Sequence, residues 1–102
     1  MKIFKEDVNL RRTFGLAWSF RVPRDSQPLC VKLQREIPTL WYSVGQSHCL
    51  DTWKVISLPT GRERELGPEY FYLDTLLLEG GDLVAHFFIN SRPVGHIEEH
   101  LL

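Results

Sequence analysis

The chain carries little that would tie it to an oxidising compartment, a nucleic acid or a membrane. Only two cysteines, Cys30 and Cys49, occur in its 102 residues. Two are too few to staple a small secreted domain, so both read as reduced, unpaired thiols of a cytoplasmic protein. An excess of one charge is missing too: 12 Lys and Arg stand against 13 Asp and Glu, a formal net charge of −1. That balance supplies no general drive toward nucleic acid or an anionic membrane and argues against both as partners. No apolar run approaches the ~20 residues of a membrane span, and the Met1–Lys5 start lacks the apolar stretch of a signal peptide. Motifs that name a reaction are also missing. No Ser or Cys sits in a nucleophile elbow, and Pro59-Thr60-Gly61-Arg62 lacks the glycines and the lysine of a phosphate-cradling loop. No catalytic residue, metal site or cofactor is expected, and the chain does not read as an enzyme.

What is present is a pattern of strands. The composition, 43% hydrophobic and 25% charged, suits one compact soluble domain, here residues 1–92 with a tail over 93–102. Phe14, Leu16, Trp18, Phe20 and Val22 are apolar at every second position, which predicts a half-buried strand closed by Pro23. Leu29, Val31 and Leu33 alternate in the same way. Gln34-Arg35-Glu36 then turns the chain into Pro38–Val44. Lys2–Val8 and Trp53–Leu58 read as further strands, and no segment before residue 90 has the spacing of a long helix. The fold expected is all-β and mainly antiparallel, a compact sandwich or partly open barrel of about seven short strands, with a short C-terminal helix.

The strongest local signal is the hairpin of Tyr70–Glu79 and Asp82–Ile89 around Gly80-Gly81, a pair suited to the two positive-φ positions of a type I′ turn. That turn sets Leu78 opposite Leu83, Leu77 opposite Val84, Thr75 opposite His86 and Leu73 opposite Phe88. Leu73, Leu77, Val84 and Phe88 then share one apolar face, and Tyr72, Leu76, Leu78, Leu83, Phe87 and Ile89 share the other. Both faces therefore call for cover. Val94, Ile97 and Leu101 predict a short amphipathic helix that would supply part of it. The tail has too few apolar side chains to cover Leu73, Leu77, Val84 and Phe88, so a homodimer is the expected alternative.

Several residues invite a chemical reading. His96-Ile97-Glu98-Glu99-His100 matches the inverted zinc-protease pattern, but that chemistry needs a third ligand downstream and only Leu101 and Leu102 follow, so chance is the better account. His48 beside Cys49 is two ligands without a third. His86 is expected to be a buried neutral histidine bonded to Thr75 across the hairpin. Trp41, Tyr42, Leu73, Leu77, Val84 and Phe88 are the candidate interaction surface for a protein partner. The alternative is a nucleic-acid-binding module of OB-like type, with contacts from Arg11, Arg12, Trp41 and Tyr42.

One resemblance adds to this. The order Val22-Pro23-Arg24, Leu29-Cys30-Val31-Lys32-Leu33-Gln34, Pro38-Thr39-Leu40-Trp41, Thr60-Gly61, Tyr72-Leu73-Asp74-Thr75 and Glu79-Gly80-Gly81-Asp82-Leu83-Val84-Ala85-His86-Phe87-Phe88 resembles a family of small uncharacterised proteins of tailed bacteriophages and prophages. The likeness covers roughly residues 18 to 89, and the closing hairpin is its most specific part. The chain departs from the family in Pro59-Thr60-Gly61, where members have Gly-Thr-Gly, and in its extension past Ile89. The family lends no residue a role. The resemblance implies phage origin and a place in the cytoplasm of the infected host. The function expected is therefore that of a small phage-type interaction or accessory protein, an inhibitor among the possibilities, which binds a host or phage protein.

Overall fold

A computed structural model describes residues 1–93. Seven strands, one short α-helix and one 3-10 turn follow in the order β1 (Lys2–Asp7), α1 (Leu10–Thr13), β2 (Trp18–Pro23), β3 (Gln27–Gln34), β4 (Ile37–Val44), β5 (Leu50–Pro59), β6 (Phe71–Leu78), the 3-10 turn (Glu79–Gly81) and β7 (Leu83–Ile89). They form two antiparallel sheets, one ordered β1-β4-β3 and the other β2-β5-β7-β6. The sheets stay separate, so the architecture is the sandwich and not a closed barrel. The tail helix expected at Val94, Ile97 and Leu101, and the His96–His100 pattern, lie outside the described residues.

The core lies between the sheets. Val31, Leu40 and Tyr42 from one meet Val22, Trp53, Val55, Leu73, Leu76, Ala85, Phe87 and Ile89 from the other. Phe87 is wholly buried at the centre, where truncation to Ala costs about 3–5 kcal/mol. Strand β5 is buried on both faces: Ile56 and Leu58, at 2% and 7% exposure, stand apart from this cluster on the outer side of the four-stranded sheet.

Two expectations change. The run from Phe14 to Val22 becomes a strand only from Trp18. Residues 10–13 wind into α1, capped by the Asn9 side chain, and Gly15 at φ 73° redirects the chain. Thr13 anchors that helix, reaching the Val8 and Asn9 carbonyls and the Ser57 hydroxyl at 2.9 Å. Leu16 is left 67% exposed rather than half-buried with its alternating neighbours. The second change is in the closing hairpin. Its connection is longer than the two-residue turn expected: the ladder ends at Leu78↔Leu83, Glu79–Gly81 form a 3-10 turn in which Glu79 (φ 52°), Gly80 (φ 67°, ψ 21°) and Gly81 (φ 95°) are all left-handed, and the Glu79 carbonyl accepts the Asp82 N–H. Register holds from Leu78↔Leu83 through Asp74↔Phe87, then a bulge at Leu73 shifts it so that Tyr72, not Leu73, faces Phe88. A one-residue slip turns side chains to the other face. Leu73 therefore enters the core, and Tyr72 joins Leu77, Val84 and Phe88 outside. Cover of that outer side stops short of β6, where Leu77 and Tyr72 are 65% and 43% exposed.

Candidate functional site

The surface read from the sequence is divided by the fold. Tyr42 points inward, buried and 5.3 Å from the Trp53 ring, with its hydroxyl pKa pushed up by burial and by Glu6. Leu73 is buried as well, so neither is available to a partner. Trp41, the next residue on β4, faces outward on the three-stranded sheet with the Lys5 ammonium 5.6 Å from its ring centre. Leu77, Val84 and Phe88 lie on the outer face of the other sheet, across the sandwich from Trp41. The contacts proposed for nucleic acid are likewise not brought together. Arg12 stacks 4.1 Å over Trp18 and reaches Glu6, and Arg11 stands exposed on α1. With Tyr42 in the core, no stacking platform joins them.

The outer face of the four-stranded sheet holds a chain of polar groups. The Tyr72 and Thr75 hydroxyls are 2.6 Å apart, Thr75 Oγ1 lies 2.9 Å from His86 Nδ1, and His86 Nε2 lies 2.6 Å from Thr60 Oγ1. The expected Thr75–His86 bond is present, although the histidine is half-buried rather than buried. A neutral imidazole donates from one nitrogen and accepts at the other, which suits a hydroxyl on each side. The hydroxyl at Nδ1 completes a continuous chain that positions the ring. That hydrogen-bonded chain sets the Tyr72 ring edge-on to Phe88 at 5.9 Å.

A second feature was invisible to strand-by-strand reading. At one end of the sandwich the β3–β4 turn, the β6–β7 turn and α1 enclose a groove of about 380 Å³. Its apolar lining is Leu10, Leu33, Pro38, Leu77, Leu78 and Leu83, and Glu36 and Glu79 stand at it on the two turns. Among the described residues, the non-glycine positions with left-handed backbone are Arg35 (φ 50°), Glu36 (φ 65°) and Glu79 (φ 52°), all on these turns. Each such position costs on the order of 1 kcal/mol or more, and strain of this kind gathers where a binding surface requires it. Neither Glu36 nor Glu79 has an ion-pair partner among the described residues. The signal that would have found the groove is the pair of short hairpin connections, but only the topology brings them to one end.

No family model, curated protein or solved structure matches this chain.

Cys30 and Cys49 are both free, the first half-buried and the second exposed. Burial pushes the Cys30 thiol pKa up, and Asp74 adds to that against the opposing Lys32. Among the described residues no three His, Cys, Asp or Glu side chains gather to hold a metal. Nor is any described helix long and apolar enough to cross a membrane.

Proposed function

We propose that this chain is a small interaction protein of phage type that binds a host or phage protein in the infected bacterial cytoplasm and acts there as an inhibitor or accessory factor. The observation that carries the reading is the leucine-lined groove between the two hairpin turns, open to solvent at Leu33 and Leu77 and flanked by the unpaired carboxylates of Glu36 and Glu79. A concave apolar site with a few placed charges is suited to a peptide segment carrying leucine-like side chains beside Lys or Arg. Burial of one such side chain is worth about 1.5–3 kcal/mol, whereas exposed charges add less affinity than selectivity. The leucines would therefore set the strength of binding, and the carboxylates would choose the partner. The phage setting rests on the motifs between residues 18 and 89.

Fluorescence polarisation tests this with two labelled peptides, each with a pair of leucines, one flanked by arginines and the other by glutamates. The arginine peptide should bind more tightly. Leu77→Glu, at an exposed position that leaves the core intact, should abolish the binding, and Glu36→Gln with Glu79→Gln should erase the preference between peptides. Binding of neither peptide, or binding indifferent to Leu77→Glu, would remove the groove from the account.

A further inference from the structure

The four strands that end the two sheets are not equally protected. On one side of the sandwich β3 and β6 approach each other, and each carries a bulge, at Leu29 and Leu73. There the Asp74 carboxylate accepts the Val31 N–H and pairs with Lys32 at 3.3 Å. Bulges and charge across an edge are the usual devices against unwanted strand pairing. On the other side β1 has no bulge, and its charges, Lys2 and Lys5 followed by Glu6 and Asp7, are of both signs. It pairs with β4 without interruption from Lys2 to Asp7, and its far edge carries no strand among the described residues. Lys2, Ile3, Phe4 and Lys5 are all exposed on it, Phe4 by 50%. Phe4 faces inward and meets Tyr42 edge-on at 6.3 Å, so the aromatic cluster of Tyr42, Phe20 and Trp53 ends on a half-open ring.

We propose that β1 is a self-pairing edge, through which two copies of the chain join antiparallel about a two-fold axis at Phe4. The charge order of the strand selects this occupant and this register. Opposed residues of an antiparallel pair share a face, and a two-fold axis normal to the sheet must pass through a residue or a pair of like orientation. With the axis at Phe4, the two phenylalanines face each other, Lys2 faces Glu6 of the other copy twice, and Ile3 lies along the Lys5 stem. With the axis at Lys5, two lysines would be opposed and Asp7 would face Ile3. With it at Ile3, Glu6 would have no opposing cation. Lysine on an edge strand ordinarily discourages pairing. Here each Lys2 gains a carboxylate, and Lys5 is already drawn aside to the Gln34 Oε1 at 2.7 Å. Joined in this way, the three-stranded sheets of two copies become one continuous sheet. This edge and the groove share no residue, so each test reads its own surface.

Sedimentation of the full chain over micromolar to millimolar concentrations should show a monomer–dimer equilibrium. Lys2→Glu alters an exposed side chain and sets two glutamates opposite two others, so it should weaken the dimer about tenfold or more. Glu6→Lys should do the same. Mixing those two variants restores opposite charges at both positions and should regenerate a mixed dimer. If Glu6→Lys fails to fold, because Glu6 also serves Arg12 and the Trp18 Nε1, Phe4→Lys provides the second disruption. A chain that stays monomeric throughout would overturn the proposal. So would a dimer untouched by Lys2→Glu and Phe4→Lys, which would place the contact elsewhere, such as the outer face at Leu77, or binding at this edge only by an extended segment of another protein.

Discussion

The carboxylate of Asp74 on β6 accepts the backbone N–H of Val31 on β3 at 3.1 Å, joining two sheets that share no strand. Val31 is wholly buried, so this amide has no recourse to water. Its Asp74 partner closes one side of the sandwich with a side chain where a barrel would use a ladder.

Removing that acceptor should be expensive. Asp74→Ala leaves the Val31 N–H unpaired in the interior, a loss of about 1–3 kcal/mol. Asp74→Asn keeps an acceptor and should lose less, while Lys32→Ala removes only a pair whose lysine is 63% exposed and should change stability by about 0.5 kcal/mol or less. Urea unfolding of the three variants checks the order. Equal losses in Asp74→Ala and Lys32→Ala would show that the ion pair, and not the amide, joins the sheets.

The two hairpin turns make opposite predictions. At Gly81, φ 95°, an added Cβ would find its nearest neighbour, Leu77 Cδ2, at 3.9 Å, so space is not the obstacle and backbone conformation is. Gly81→Val should therefore destabilise by about 1 kcal/mol or more.

The β3–β4 turn is strained in the native chain, because Arg35 and Glu36 occupy the positions that Asn and Gly fill most readily. The double change Arg35→Asn and Glu36→Gly should raise stability by about 1 kcal/mol in thermal unfolding. It should also weaken the arginine peptide, since one groove carboxylate is gone. A variant more stable and equally good at binding would separate the strain from the groove.

The thiols should differ in rate. Cys49 is exposed, whereas Cys30 is half-buried with its pKa raised by burial, so less of it is thiolate at a given pH. Timed alkylation at mildly alkaline pH, followed by peptide mapping, should find Cys49 modified first.

Acid should loosen the loop before β5. The amides of Ser47 and Gln46 hold the Asp25 carboxyl below the usual carboxylate range. A folded pKa below the unfolded one means that the contribution is present above the unfolded value and is lost as pH falls through the folded value. The Ser47 and Gln46 amide resonances should shift together with the Asp25 carboxyl on acidification. Asp25→Asn should abolish that titration.

The strands were legible because their pattern is local. Trp18, Phe20 and Val22 announce one face by alternation alone, and Gly80-Gly81 fixes the hairpin register. The register holds through Asp74, opposite Phe87, and then fails at Leu73, where the bulge lies beside the contact of Asp74 with Val31, a residue 43 positions away. No window around residue 73 carries that information. Tyr42 was misplaced for a similar reason. An aromatic pair, Trp41-Tyr42, on an alternating strand must send one ring in and one out, and only the opposing sheet, with Trp53 and Phe20, decides which. The groove was illegible because its two carboxylates lie 43 residues apart on turns that meet only once the sandwich has formed.

The strand order β2-β5-β7-β6 has a consequence for how the molecule comes into being on the ribosome. The last strand among the described residues, β7, is an interior one: it must lie between β5, synthesised well before it, and β6, its immediate predecessor. Until Ile89 has emerged, β6 has no ladder to join, and β5 shows one bare edge and an unfilled place where Phe87 belongs. The three-stranded sheet, complete by Val44, would have to wait without a partner for its inner face. Nascent chains halted before residue 83 should therefore remain protease-sensitive throughout, and resistance should arrive in one step when β7 does.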